Sequence, residues 1–272
     1  MTLLQRDDAA LRVIEAGEGS PVIFQHGLGG DGQQAAQTFP SDAGWRRVTL
    51  ECRGHGGSEL GSARPFSFAM FADDVLAAAD TAGADRFIAG GVSMGAAIAL
   101  RLACRHPDRV TGLILVRPAW TFAAGPENMA PIAEAADLVL RLGRDEARRV
   151  FAKSPSAMRL AEDAPDNLAS ILGYFDRPDI ESFARVLADI AADGPGPTPQ
   201  EIAAIAVPAL VIGNHHDHVH PLAMARALAA AIPGAVFAEA PPKALDAARH
   251  FACVHSAVGE FLKARRDNGS TT

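Results

Sequence analysis

The sequence predicts an α/β fold: a mostly parallel twisted sheet with helices on both faces and an all-helical segment inserted between two strands. Short apolar runs alternate with segments of helical period, as expected of parallel strands joined by helices. From about residue 118 to residue 205 the strand-like runs stop and helical segments follow one another. Strand-like runs then return. We therefore expect the insert to lie over the carboxyl edge of the sheet, where such sheets bind ligands.

The predicted elements follow from apolar periodicity and from turn residues. Strands are predicted as two short segments within residues 3–16 and at residues 21–25, 47–51, 87–89, 113–116, 208–212 and 235–239. Helices outside the insert are predicted at residues 33–39, 68–82, 96–103, 222–231 and 247–264. Inside the insert, helices are predicted at residues 131–142, 145–153, 156–163, 167–175 and 180–192. A stiff Gly-Pro linker at residues 194–199 leads back to the sheet.

Length and charge limit the classes of protein that this chain can be. Its 272 residues suit one α/β domain with an insertion or two small domains, and 49% hydrophobic residues can build a substantial core. The net charge of −7 argues against nucleic acid or an anionic membrane as the main partner. We expect a small-molecule acyl substrate, no nucleic-acid or membrane partner, and either a monomer or a homodimer.

The cellular compartment is predicted from the N-terminus and the cysteines. Residues 1–8 lack the basic start and the apolar centre of a signal peptide. The three cysteines are far apart and form no C-x-x-C motif, which is typical of thiols in a reducing cytosol. A cytoplasmic location is therefore expected.

A glycine-flanked serine follows the apolar run that starts at Phe87. The spacing Gly91-x-Ser93-x-Gly95, followed by a helical run, is the nucleophile-elbow pattern of a strand-to-helix turn. Side chains two residues before and after the serine would collide with backbone, so glycine is required there. The helix behind the serine directs its N-terminal amides at developing negative charge. The alternative is a glycine-rich turn whose serine only caps the helix.

Four motifs together resemble the α/β-hydrolase family along nearly the whole chain. They match the family in order and separation, and the helical insert sits where the family's cap domain usually enters. The motifs are Gln25-His26-Gly27-Leu28-Gly29-Gly30, Cys52-Arg53-Gly54-His55-Gly56-Gly57-Ser58, Gly91-Val92-Ser93-Met94-Gly95 and Gly213-Asn214-His215-His216-Asp217-His218-Val219-His220-Pro221. The resemblance implies a core at residues 1–118 and 205–272, with a helical cap at residues 119–204.

The resemblance also implies a catalytic role for each matching residue. Ser93 would be the nucleophile and Asp217 the acid that orients the base. The backbone amides of Met94 and Leu28 would form the oxyanion hole, and His26 with Gly27 would shape the turn that presents Leu28. No cofactor or metal is required by this chemistry.

The base is the point at which the sequence departs from the family pattern. The family usually places its histidine in the loop after the last strand, and residues 240–249 contain none. We predict His250 as the base, about five residues late but followed by Phe251. His255 should lie further from the serine. Lys243 is a distant substitute, because it would need strong desolvation to be neutral. An incomplete triad is the remaining alternative.

Other residues are candidates for the substrate pocket. The predicted substrate-binding residues are His26, Gly27, Trp120, Phe122 and His220. Further insert residues could contribute specificity or only packing, namely Met129, Met158, Tyr174 and Phe175. The histidines at 215, 216, 218 and 220 could suggest a metal site. We discount it because consecutive histidines point in different directions, and we expect no metal.

The predicted function is a serine hydrolase, a carboxylic ester hydrolase acting on a small ester, lactone or related acyl compound through an acyl-enzyme. Carbon–carbon bond hydrolysis or perhydrolysis on the same fold is the first alternative. Dehalogenase or epoxide hydrolase chemistry is disfavoured, because those relatives use Asp where this chain has Ser93. The rival from another class is a non-catalytic ligand-binding homologue with a degenerate triad, motivated by the displaced histidine.

Overall fold

The structure, a computed structural model, describes residues 1–41 and 44–269. Within these residues one sheet is formed by β1 (Thr2–Arg6), β2 (Ala9–Ala16), β3 (Pro21–Gln25), β4 (Arg46–Leu50), β5 (Phe87–Val92), β6 (Val110–Val116), β7 (Ala209–Gly213) and β8 (Val236–Glu239). The strand order is β1-β2-β4-β3-β5-β6-β7-β8. Only the pairs β1–β2 and β2–β4 of this sheet are antiparallel. The predicted fold class is confirmed.

The register of the central strands brings the predicted motifs to one edge. Gln25 at the end of β3 lies opposite Gly91, and Val92 at the end of β5 lies opposite Val116. Val116 in turn lies opposite Ile212 in β7. Because these strands are parallel and end level with one another, the loops that follow them meet at the carboxyl edge of the sheet.

Helices cover both faces of the sheet. The helices outside the insert are α1 (Gly32–Thr38), α2 (Phe68–Thr81), α3 (Met94–Arg105), α10 (Leu222–Ala231) and α11 (Ala247–Gly269). Buried side chains of α2, α3 and α10 join the larger core, and those of α1 and α11 join a second core on the opposite face. On α11, Val254, Val258 and Phe261 repeat at helical spacing and are buried in that second core.

The segment between β6 and β7, residues 117–208, is here called the helical insert. It contains a 3-10 turn at Glu127–Met129, α4 (Ala130–Leu142), α5 (Arg144–Phe151), α6 (Pro155–Asp163), α7 (Pro165–Tyr174), α8 (Ile180–Ala192) and α9 (Pro199–Ala203). Four of its aromatic side chains, those of Trp120, Phe151, Phe175 and Phe183, are buried, and the rings of Phe151 and Phe175 lie 5.9 Å apart. The assignment of residues 119–204 as a separate cap domain stays a prediction. Of the second part of the core, predicted at residues 205–272, residues 270–272 lie outside the described residues.

The insert reaches the carboxyl edge of the sheet. The hydroxyl of Tyr174, the last residue of α7, donates a hydrogen bond to the Leu28 carbonyl, 3.2 Å away in the loop after β3. Ligands entering this edge therefore meet the insert. No helix in the described part of the chain combines the length and the apolar character needed to cross a bilayer.

Candidate active site

Ser93 lies at a sharp turn between β5 and α3, with φ of 55° and ψ of −111°. A non-glycine residue at positive φ is strained, and such strain is characteristic of functional turns. A Cβ at Gly91 would lie 2.6 Å from the Gly95 carbonyl carbon, and one at Gly95 would lie 2.4 Å from the Gln25 carbonyl oxygen. Both contacts are with backbone, which cannot yield, so the predicted need for glycine on each side of Ser93 is confirmed.

A hydrogen-bonded chain of three side chains begins at Ser93. The Oγ atom of Ser93 lies 2.8 Å from Nε2 of His220. The other ring nitrogen of His220, Nδ1, lies 2.9 Å from Oδ1 of Asp217. A carboxylate only accepts, so Nδ1 carries the proton and Nε2 is free to accept the hydroxyl hydrogen of Ser93. This is the arrangement of nucleophile, base and orienting acid that activates a serine.

Arg117 supports the acid of this chain from the other side. It follows β6 directly, and its Nε atom donates to Oδ2 of Asp217 at 2.8 Å. A second carboxylate, that of Asp166, lies 3.6 Å from the guanidinium. Asp217 is therefore held by His220 at Oδ1 and by Arg117 at Oδ2, which fixes the carboxylate plane relative to the imidazole.

The same contacts determine the charge states of Asp217 and His220. Burial alone would raise the pKa of Asp217, but the charges and hydrogen bonds of His220 and Arg117 outweigh it and hold this pKa well below its usual range. Burial lowers the pKa of His220, and Arg117 lowers it further, against the opposing effect of Asp217. At neutral pH the pair is thus an ionised carboxylate and a neutral imidazole, which can accept a proton.

The loop after β3 packs against Ser93. The amide of Gly27 donates to Oε1 of Gln34 at 2.6 Å, and a Cβ at Gly27 would lie 3.3 Å from that of Ser93. Tyr174 holds the Leu28 carbonyl, as described above. Met94 is the first residue of α3, so its amide has no partner within the helix. Leu28 follows Gly27 and Met94 follows Ser93, so the two residues come from two elements that meet at Ser93.

Beside Ser93 lies a cavity of about 310 Å³. Its lining comes from the core and from the insert: Gly27, Leu28, Gly29, Gly30, Gln34, Val92, Ser93, Arg117, Met129, Ile132, Asn167, Ser170, Ile171, Gly173, Tyr174, Arg177, Val219, His220 and Lys243. Of the predicted substrate-binding residues, Gly27 and His220 line it, while His26, Trp120 and Phe122 do not. Met129 and Tyr174 also line it, but Met158 and Phe175 do not.

The three residues outside the cavity have other surroundings. His26 is buried, accepts from the Cys52 amide through Nε2 at 3.0 Å and donates to the Gly27 carbonyl through Nδ1 at 2.8 Å. It therefore ties the loops after β3 and β4 together. Trp120 is buried and donates to the Asp193 carbonyl. Phe122 is 46% exposed. The apolar character of Trp120 and Phe122 and their position in the insert therefore did not show whether they belong to the core or to the pocket.

The predicted partner of Ser93 requires a correction. His250 lies in the first turn of α11, and its Nδ1 donates to the Pro241 carbonyl at 2.8 Å. His255 bonds the Gln37 carbonyl through Nε2. Within the described residues, the histidine in hydrogen-bond contact with Ser93 is His220, which was expected only to line the pocket. The physical reason is that His250 already lies within α11, where the Pro241 carbonyl holds its ring.

A signal for His220 does exist in the sequence. It stands three residues after Asp217 in the loop after β7, and the Asp217 carboxylate also accepts from the His220 amide at 3.0 Å. This local turn places the His220 ring beside the Asp217 carboxylate. The insert fixes the turn: Asn167 Oδ1 accepts from the Val219 amide at 2.8 Å, and Asn128 Nδ2 donates to the Val219 carbonyl at 2.6 Å.

The neighbouring histidines show no common ligand sphere. His215 faces Glu239, with 3.3 Å between Nε2 and Oε1. In the portions of the chain that the structure describes, no group of three or more His, Cys, Asp or Glu side chains is placed to hold a metal ion.

A mostly parallel eight-stranded sheet, a strained serine elbow and a helical insert define an α/β hydrolase, and the chain belongs to this family. A model of the α/β hydrolase fold matches residues 20–255. The chain is 30% identical over 232 residues to "Putative carbamate hydrolase RutD" of Klebsiella pneumoniae (strain 342), covering 82% of this chain and 84% of that protein. The comparisons therefore support a hydrolase.

Two further relatives show the range of the family. The crystal structure of the enol-lactonase from Burkholderia xenovorans LB400 matches with a TM-score of 0.68 and 28% identity, over 98% of each chain. The 2-hydroxymuconate semialdehyde hydrolase of Pseudomonas putida is 32% identical over 105 residues, which cover 38% of this chain and 37% of that enzyme.

Proposed function

We propose that this protein is a serine hydrolase that cleaves a small ester, lactone or related acyl compound through a covalent acyl-enzyme. The observation that carries the proposal is the 2.8 Å contact between Ser93 Oγ and His220 Nε2, with Asp217 2.9 Å from the other ring nitrogen. A serine hydroxyl is a weak nucleophile at neutral pH, and a neutral imidazole in hydrogen-bond reach removes this limit.

The reaction begins with proton transfer from Ser93 Oγ to His220 Nε2 as Oγ bonds the substrate carbonyl carbon. The carbonyl electrons move to oxygen, and the amides of Leu28 and Met94 donate to that oxyanion. The intermediate collapses when the bond to the leaving oxygen breaks, and His220 returns its proton to that oxygen. Water then repeats the sequence on the acyl-enzyme, with His220 as the base, and releases the acid and free Ser93.

Asp217 and Arg117 keep the imidazole ready for both steps. The carboxylate holds Nδ1 protonated and stabilises the imidazolium that forms after proton transfer. Arg117 keeps the carboxylate ionised, so the transferred proton stays on His220 rather than moving to Asp217. The acid and the base lie on one short loop after β7, three residues apart.

Carbon–carbon bond hydrolysis is the second candidate, favoured by the partial match to the Pseudomonas putida semialdehyde hydrolase. A ketone carbon could be attacked by the same serine, with a carbanion as the leaving group. Both candidates need the same activated Ser93 and differ in the substrate. A panel of p-nitrophenyl esters, lactones and vinylogous diketones therefore separates them.

Labelling by a fluorophosphonate probe tests the activated serine. We expect rapid labelling of the wild type, loss in Ser93→Ala and His220→Ala, and retention in His250→Ala and His255→Ala, which are the matched histidine controls. In ester hydrolysis, Ser93→Ala and His220→Ala should each lower kcat/KM by roughly 10³–10⁵-fold.

Two results would contradict the proposal in different ways. Labelling that survived His220→Ala but failed in a folded His250→Ala variant would move the base to His250. A wild type that neither labelled nor hydrolysed any member of the panel would favour the non-catalytic ligand-binding alternative. Circular dichroism of each variant confirms that the fold is intact.

A further inference from the structure

The cavity beside Ser93 has an uneven charge. Three cationic side chains line it, those of Arg117, Arg177 and Lys243. None of its lining residues is an aspartate or a glutamate. A cavity lined by one sign of charge raises the local concentration of ligands of the opposite sign. The cavity is therefore suited to an anionic compound.

Two of these three cations already have anionic partners. Arg117 is bound to Asp217, as described above. Arg177 donates from Nη2 to Oδ2 of Asp179 at 3.0 Å, and its guanidinium lies 3.8 Å from the centre of the Phe183 ring. Both guanidiniums are thus held in place by the protein itself.

Lys243 differs from both arginines. No hydrogen bond or ion pair links its ammonium to another residue in the described part of the chain. It is half-buried in the loop after β8. Burial lowers its pKa, and the nearby charge of Arg117 lowers it further, against smaller opposing effects of Asp166 and Asp217. An ammonium that is partly desolvated and unpaired is costly until an anion pairs with it.

We propose that Lys243 binds a carboxylate carried by the substrate, so that the enzyme prefers acyl compounds with a second, ionised carboxyl group. One unpaired ammonium balances one unit of negative charge, which favours a carboxylate over a phosphate dianion. A cavity of about 310 Å³ accommodates a short dicarboxylic monoester or a lactone that bears a carboxylate. The catalytic part of this inference rests on the proposed function, whereas the binding part does not.

A role for Lys243 as the base is the competing interpretation. Ser93 Oγ already lies 2.8 Å from His220 Nε2, and that imidazole is oriented by Asp217. The proton of Ser93 therefore has an acceptor, and Lys243 is left for the substrate.

A matched pair of esters tests the inference. Mono-p-nitrophenyl glutarate and p-nitrophenyl pentanoate carry acyl chains of equal length and differ in a terminal carboxylate against a methyl group. We expect Lys243→Met to lower the ratio of kcat/KM for the glutarate over the pentanoate by about tenfold or more, since charge-assisted hydrogen bonds have about this effect. The value for the pentanoate should stay within about threefold.

Two further variants calibrate this ratio. Lys243→Arg keeps the charge and should keep most of the preference. Lys153→Met removes an exposed lysine of the insert and should leave the ratio unchanged. An unchanged ratio in Lys243→Met would overturn the inference while leaving the serine hydrolase intact.

A binding measurement separates failure of this inference from failure of the proposed function. If the wild type hydrolysed neither ester, the proposed function would fail, and calorimetric titration would decide the carboxylate site. Monomethyl glutarate should bind Ser93→Ala protein at least about tenfold more tightly than the Ser93→Ala/Lys243→Met double variant. Equal affinities, or no binding to either protein, would overturn the inference.

Discussion

The loops after β7 and β8 lie at the same edge of the sheet but are built differently. In the family pattern the first carries the acid and the second carries the base. Here the loop after β7 carries both Asp217 and His220, and the loop after β8 carries Lys243. The first is anchored by Asn128, Asn167 and Arg117, whereas the second includes Leu245, which is 73% exposed.

Under the proposed function, this difference means that a catalytic arrangement is kept although the histidine has left its usual position. What the chemistry requires is an imidazole between a hydroxyl and a carboxylate, and the chain element that supplies the imidazole is free to vary. A loop already held rigid for the acid needs little more to orient a base three residues away. The vacated loop is then available for contact with the substrate.

Among changes that test this comparison of the two loops, replacing Asp217 should have the largest effect on kcat. In Asp217→Asn the side-chain amide can donate to Nδ1, which would place the proton on Nε2 and leave His220 unable to accept from Ser93. We expect kcat to fall by roughly 10³–10⁴-fold. Steady-state hydrolysis of a p-nitrophenyl ester measures this.

The matched control for this prediction is Asp246→Asn, an exposed carboxylate at the start of α11. It should leave kcat within about threefold of the wild type. A folded Asp217→Asn variant with nearly wild-type kcat would show that the loop after β7 does not supply the acid.

The two loops show which parts of this site could be predicted from the sequence. The elbow at Ser93 was predictable because glycine sterics act over five residues. The role of Asp217, which lies in the loop after β7, was implied by the resemblance to the family. The fold followed from alternating strands and helices, since parallel strands place their carboxyl ends at one edge.

The base could not be assigned in this way. The direction of the His220 ring depends on Asn128 and Asn167, which are distant in sequence and contact the backbone of Val219. Periodicity carries no information about such contacts. For the same reason, Trp120 and Phe122 could not be separated from true pocket residues before their burial and partners were known.

Removing the arginine behind the acid should give a smaller effect, seen in the pH profile. Arg117 lowers the pKa of His220, so Arg117→Met should raise that pKa. Activity is lost as pH falls through the pKa of His220, because imidazolium cannot accept a proton. The acidic limb of kcat/KM should therefore move to higher pH.

The profile of kcat/KM against pH from 4 to 9 measures this shift, with Arg185→Met, a surface change in α8, as the control. A purely structural role for Arg117 would lower the plateau and leave the limb where it is in the wild type. A shift of the limb to lower pH would contradict the role assigned to Arg117.

Replacing His250 should have the smallest effect on catalysis, because the sequence predicts it as the base but the structure places it against the Pro241 carbonyl. His250 is buried and donates to the Pro241 carbonyl, so it anchors the start of the loop that carries Lys243. His250→Ala should lower the free energy of unfolding by about 1–3 kcal/mol, because it leaves that carbonyl without its partner. Hydrolysis of a neutral ester should stay within about threefold of the wild type.

Urea unfolding together with steady-state kinetics measures both quantities, and His255→Ala serves as the control on the same helix. A fall in kcat of several orders of magnitude with unchanged stability would make His250 part of the catalytic chain and would reverse the roles assigned to the two loops.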